Sequence, residues 1–421
     1  MHNNHKYSIL KTRYLRGSSL VNAIFICVII SIFCGCIVLL SHYQNILNNK
    51  LYAQEDLIHR NDSSFNYLLN NVESLLNTKS GTIDVFSDGL ASYIEKKHWG
   101  FYDILVCKTG VGNDTVSKIA LVGQKDNAKN KLALYVTDYD KPLKLSGNTK
   151  ILGAMEIPNA RTETAYINGQ KGNNIKLKGK QRKSQDRLPK IKKDIFVNVL
   201  KSKPIPLDQF DKDAVIVNGF DVPTKVIEST GSEVLTNITC KGNIILLSKH
   251  KLTISSTAHL NDVMVSAPFV HVANGFKGNI QIIATDSVKI DEDVQLKYPS
   301  SIYIKNDAIA TVRVGKNTIV AGGIVIDGDA FNSALHRNLH IAENATVIGN
   351  IYCYGNTELK GKVIGSVYTD KFFLKTKTSN YENVILNSVI NRDSLPENFI
   401  ELPLFDNTTN NKRAYAVIKE F

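Results

Sequence analysis

A chain of 421 residues is long enough for two or three domains, and 43% hydrophobic against 21% charged residues is the balance of a chain that buries a core, not of a disordered polymer. The net charge of +12 is uneven, because residues 171–203 carry twelve Lys/Arg against two Asp. That block is read either as a solvated loop or as a site for an anionic partner such as polysaccharide or lipid headgroup. Nucleic acid is not expected for a segment outside the cytoplasm. The spacing of the six cysteines gives no support for a disulfide framework or a CxxC metal site: Cys27, Cys34 and Cys36 sit in an apolar run, and Cys107, Cys240 and Cys353 are widely separated. No metal and no cofactor is expected.

Residues 1–17 hold Lys6, Lys11, Arg13 and Arg16 and no acid. Retained positive charge marks the cytoplasmic side. Leu20 to Leu40 follows, with no charged residue between Arg16 and Lys50, and about 20 such residues in a helix cross a bilayer. The run is too long for a secretory leader and lacks a small-x-small site after it. An uncleaved signal anchor over 18–43 is therefore expected, with the rest of the chain beyond an inner membrane.

The junction Arg16-Gly17-Ser18-Ser19-Leu20-Val21-Asn22 resembles the processing site of type IV prepilins and pseudopilins. That resemblance makes Gly17 and Ser18 the residues flanking a cleavage. Asn22 stands where the family has Glu, a departure that puts filament assembly in question.

Residues 44–140 read as a helix plus a small antiparallel sheet. Asn61-Asp62-Ser63-Ser64 should interrupt the helix and cap a second one. Phe65, Leu68, Leu69, Val72, Leu75 and Leu76 recur at helical spacing, and Gly81 should end it. Strands are expected at Thr82–Phe86, Phe101–Lys108, Thr115–Val122 and Lys131–Thr137. Helix then sheet is also the order of pilin-like proteins.

From Pro142 the pattern changes. Gly147 and Gly153 are six apart, as are Gly349, Gly355 and Gly361. Short apolar strands start near Asn243, Asp262, Asn279, Ser301, Gly323, Asn350 and Ser366, a period near 20 that signals stacked rungs. The fold class expected is mainly β: a right-handed parallel β-helix, with its first rung in 141–168, a basic excursion loop in 169–212, the main solenoid in 213–380, and a cap and tail in 381–421. The rungs from Val347 to Val367 resemble bactofilins, polymer-forming β-helix proteins. That resemblance implies self-association through the flat edge of those terminal rungs. The whole arrangement resembles membrane-anchored β-helix proteins of Bacteroidetes-type bacteria, and that likeness brings no activity with it.

Few residues suggest chemistry. Asp327-Gly-Asp329 could divide acid and base roles on a solenoid face if Asp291 or Glu343 stood near, although Asp-Gly is chiefly a turn signal. His336-x-x-x-His340 has metal-like spacing but does not lie on a helix. The anionic-partner candidates are Lys171, Lys176, Lys178, Lys180, Arg182, Lys183, Arg187, Lys190, Lys192 and Lys193. The reading that follows is a non-enzymatic, membrane-anchored structural or interaction protein of a bacterial envelope. The competing readings are an anchored polysaccharide-acting enzyme and an adhesin for acidic glycans.

Overall fold

The computed structural model describes residues 18–75, 80–125, 132–172, 174–192, 203–328, 336–405 and 414–421. Helix α1 (Ser18–Leu75) has 58 residues, about 87 Å at 1.5 Å per residue. An 18-residue window within it has a mean hydropathy of 3.2 and none of it is buried. It is long and apolar enough to cross a membrane.

The expected break at Asn61–Ser64 does not occur. These polar residues bond sideways into a sheet instead of capping a helix end. Asn61 Nδ2 donates to the Cys107 and Val116 carbonyls at 3.1 and 3.2 Å, Asp62 accepts from Lys118 at 2.8 Å, and Ser64 is bonded by Ser92 at 2.9 Å. The one residue with non-helical dihedrals is Asn71. Gly81, expected to end the helix, lies inside strand β1 (Ser80–Ile83).

β1 pairs antiparallel with β2 (Ser92–Trp99), and β3 (Tyr102–Val111) and β4 (Asp114–Lys125) follow. The fifth strand is not the expected Lys131–Thr137. It is Ala414–Glu420, returning from the end of the chain to the β4 edge. The sheet alternates with period two. Leu105, Cys107, Ala120 and Val122 face α1, with Phe65, Leu68 and Val72. Ile104, Val106, Ile119 and Leu121 face the other way, into a core shared with the solenoid.

The solenoid has three faces of parallel strands. Ser301, Gly323, Asn350 and Ser366, expected from sequence as rung starts, are ladder partners in that order. Ile302, Ile324, Ile351 and Val367 stack behind them, all with 0% exposure. Each such side chain contributes roughly 1.5–3 kcal/mol on burial, which no rung could gain alone. The six-residue steps turn three successive corners. Gly349 ends 346–349, Gly355 precedes 356–359, and Gly361 precedes 362–365. At the first corner only glycine fits: Gly349 has φ +120°, and a Cβ there would stand 2.0 Å from the Gly322 carbonyl oxygen.

The ends differ from the sequence reading. The strand Lys362–Lys375 does not present a free edge, because Leu132–Val136 and Val389–Asn391 stack on it. Lys150–Leu152 and Ala154–Ile157 come next, then Lys176–Lys178 and Gln181–Lys183. The 141–168 segment, expected to open the solenoid, therefore lies past its C-terminal rungs, and 169–183 forms the outermost rung instead of an excursion loop. The opposite end starts at Ile205–Pro206 and Val215–Asn218, where Leu207, Phe210 and Ala214 pack on the core. Within 381–421, residues 381–391 do not cap an open end: they lie inside the stack, between Lys362–Lys375 and the strands of 143–152. The strand Asn380–Glu382 pairs antiparallel with Lys362–Lys375, and Val384–Leu386 pairs with Leu143–Ser146.

One solenoid face carries the sheet. Trp99, Phe101 and Tyr102 pack among Phe220, Ile245, Met264 and Tyr303. Gln281 clamps the β2–β3 turn: Phe101 N donates to its Oε1 at 3.0 Å, and its Nε2 donates to the Trp99 carbonyl at 3.0 Å. Residues 395–405 cross the same face, fixed by Tyr298 Oη donating to the Ile400 carbonyl at 3.1 Å and by a bidentate Arg392–Glu401 pair at 2.6 and 2.5 Å. Helix, sheet and solenoid are thus three successive layers.

Candidate functional site

The candidate residues from sequence fall in separate places. Ser18 begins α1 and Asn22 is exposed on it, while Gly17 lies outside the described residues. The basic set divides in two. Lys171, Lys176, Lys178, Lys180, Arg182 and Lys183 are exposed on the outermost rung, beyond which no strand stacks among the described residues. Lys178 pairs with Asp393 at 2.7 Å and Lys183 with Asp138 at 3.4 Å. Lysine and arginine on an open edge oppose strand addition by another chain, which accounts for charge there without a ligand. Arg187, Lys190 and Lys192 belong to a strap across the sheet-bearing face. The Arg187 carbonyl accepts from Tyr135 Oη at 2.7 Å, and Lys192 Nζ donates to Gln124 Oε1 at 2.9 Å. Lys193 lies outside the described residues. The nine described residues of this set do not make one patch.

Asp327 ends its strand opposite Lys305, and Asp329 lies outside the described residues. Asp291 and Glu343, the expected third acids, sit at the far corner of the next face. Another acid of this part of the solenoid is Asp370, whose charge, like that of Asp327, adds to the larger effect of burial in raising Tyr352 and Tyr354. Asp370 is 2% exposed. Thr137 Oγ1 donates to its Oδ1 at 3.1 Å, and its Oδ2 has no hydrogen-bond partner. Burial pushes this carboxyl up to about 7, against the Thr137 hydrogen bond and the Arg337 charge. A group so placed suits acid–base work by its proton affinity, but it is closed to a polymer substrate. Among the described residues, no group of three His, Cys, Asp or Glu could hold a metal ion. His340 of the histidine pair bonds Glu358 instead.

The third solenoid face carries an array that the sequence reading did not single out. Its strands have an apolar-x-apolar core, and the middle residue points outward. The ladder register places His271, Lys289, Arg313, His340 and Glu358 one above another on five successive rungs, about 4.8 Å apart. His271 Nε2 and Lys289 Nζ bond Asp291 at 2.7 and 2.8 Å. His340 Nδ1 and Lys360 Nζ bond Glu358 at 2.9 and 2.8 Å. Burial alone would raise the Glu358 carboxyl, but the His340 and Lys360 hydrogen bonds hold it at about 2. Asp291 is likewise lowered against its burial by Lys289 and His271. Beside this ladder runs an open groove of about 550 Å³, lined among others by Asp291, Arg313, Lys316, His340 and Glu343. The signal was present in Val288-Lys-Ile290 and Val312-Arg-Val314, and aligning the middle residues would have exposed it.

The chain matches no protein family, no curated protein and no solved structure in the comparisons made with each.

Proposed function

We propose that this chain is a non-enzymatic, membrane-anchored structural or interaction protein of a bacterial cell envelope, single-pass, with its N-terminus cytoplasmic and its solenoid outside. The observation that carries this reading is the continuity of α1. The helix that is apolar over 20–40 runs unbroken into the sheet through Asn61, Phe65 and Leu68, and the far side of that sheet shares a core with the solenoid. Residues 41–56 are exposed and form a stalk of about 24 Å at 1.5 Å per residue. An anchor so joined holds a rigid surface at a set height above a bilayer. Orientation follows from Lys6, Lys11, Arg13 and Arg16 on the retained side. The order of helix and sheet is compatible with the pilin-like reading, and envelope polysaccharide is the partner within reach of a solenoid so placed. The enzymatic reading has less support, because its best acid, Asp370, is buried.

Carbonate extraction and protease shaving of cells without an outer barrier test the topology. The protein should stay with the membrane pellet, and the region after residue 43 should be digested or shaved off. Recovery in the soluble fraction, or full protection from outside protease, would overturn the reading.

A further inference from the structure

We infer that the groove beside the His271–Glu358 ladder binds an acidic polysaccharide, with Arg313 receiving a sugar carboxylate. This rests on the reading of an interaction protein, and the binding itself does not depend on the topology of the anchor. Three features of the groove support it.

The first is the state of Arg313. Every basic neighbour in the array is engaged: Lys289 with Asp291, Lys316 with Glu343 at 3.6 Å, and Lys360 with Glu358. Arg313 is exposed as the fourth of the five residues of its strand, between Lys289 and His340 on the flanking rungs, and among the described residues no ion pair engages it. Its planar guanidinium is suited to a two-point contact with a carboxylate.

The second is composition. Asp291, Glu292, Glu343 and Glu358 line the same groove. Lys289, Arg313, Lys316 and Lys360 line it too, so cations and carboxylates balance and the groove has no net attraction for a densely charged polyanion such as nucleic acid or polyphosphate. The carboxylates are good acceptors for hydroxyl groups. One carboxylate set among many hydroxyls is the chemistry of a uronic-acid sugar, and it matches one free arginine set among acceptors.

The third is shape. A second groove begins at Glu343 and Lys360, shared with the first, and runs on past Lys375, Lys377 and Asn387. The two together form an open channel along the solenoid axis, which fits a linear polymer and not a compact ligand. The ion pairs that line it hold its side chains in place before binding, which lowers the ordering cost of association.

The test is calorimetric titration of the full chain in nanodiscs with hexamers in which galacturonate, mannuronate or glucuronate alternates with neutral glucose, and with a neutral glucose hexamer. At least one uronate hexamer should bind and the neutral one should not. Arg313→Ala should weaken binding at least tenfold, and Arg313→Lys should restore part of it. Lys176→Ala with Lys178→Ala, on the distant end rung, should leave it unchanged. Arg313 is outward and exposed, so its loss should leave the Trp99 emission of the folded chain intact. Failure of all three uronates to bind would overturn the inference. So would equal affinity of wild type and Arg313→Ala, or loss of binding in the end-rung variant alone. Because the nanodisc fixes no cellular orientation, a failed topology experiment and a failed titration remain distinguishable.

Discussion

Asp370→Asn should make the folded chain more stable at pH 8 and flatten its response to pH. In the unfolded chain this carboxyl has its ordinary value of 3.8, and in the fold burial raises it to about 7. The raised value means that the folded state binds the proton more tightly, so the acid favours folding while protonated and opposes it once ionised. Stability should therefore fall as the pH rises from about 4 to about 7 and stay level above. The difference between 3.8 and about 7, at 1.36 kcal/mol per tenfold, is about 4 kcal/mol. Asparagine keeps the acceptor for Thr137 Oγ1 and cannot ionise. Its amide nitrogen would take the place of Oδ2, which has no partner, at a cost of about 1–3 kcal/mol, so the net gain should be about 1–3 kcal/mol. Trp99 is the chain's one tryptophan and is 5% exposed between sheet and solenoid, so its emission reports unfolding directly. Urea midpoints of both proteins at pH 5 and pH 8 give the answer. A wild type more stable at pH 8 than at pH 5 in this window, with Asp370→Asn less stable at pH 8, would show an ionised Asp370 paired to Arg337 and refute the reasoning.

Glu358 carries the opposite sign: its lowered carboxyl stabilises the fold above about 4.5, and that contribution is lost as pH falls toward about 2. Glu358→Gln should cost up to about 3 kcal/mol at neutral pH, less where water screens the partly exposed His340 and Lys360, and should remove this part of the acid sensitivity seen by urea titration. Gln281→Ala leaves the buried Phe101 N–H and Trp99 carbonyl unpaired, at about 1–3 kcal/mol; hydrogen exchange should rise at the β2–β3 turn before it rises in the solenoid, and simultaneous exchange would place the coupling elsewhere. Gly349→Ala puts a methyl against the Gly322 carbonyl and should lower the urea midpoint by more than Gly231→Ala, where a Cβ meets nothing within 4 Å.

What sequence revealed and what it hid follow one physical division. Rung corners depend on local backbone geometry, so Gly349, Gly355 and Gly361 showed through their six-residue spacing. Rung register depends on side-chain alternation, so Ser301, Gly323, Asn350 and Ser366 were found in ladder order. The order of rungs at the ends depends on which strands meet in space, and nothing local in Leu132–Val136 shows that it stacks on Val367. The same holds for Asn61, whose partners Cys107 and Val116 are 46 and 55 residues away. Strand β2 was missed because Glu95, Lys96 and Lys97 hide its alternation. Lys96 is nonetheless accommodated, with Asp103 at 3.6 Å and Tyr415 at 3.4 Å. The charged ladder was hidden for a further reason. Its members are single residues in unremarkable strands, and only the register makes them neighbours.

The central claim is that a helix fit to cross a membrane continues as one rigid body into the solenoid. Pulsed electron spin measurement of a distance across that junction tests it most directly. Spin labels at Tyr52→Cys, exposed on the stalk, and Lys297→Cys, exposed on the solenoid, would be placed in the full chain in nanodiscs, with Cys27, Cys34 and Cys36 replaced by alanine. The account predicts one narrow distance distribution, unchanged when the bilayer is replaced by detergent. A broad or multiple distribution would show a hinge between anchor and solenoid and would contradict it.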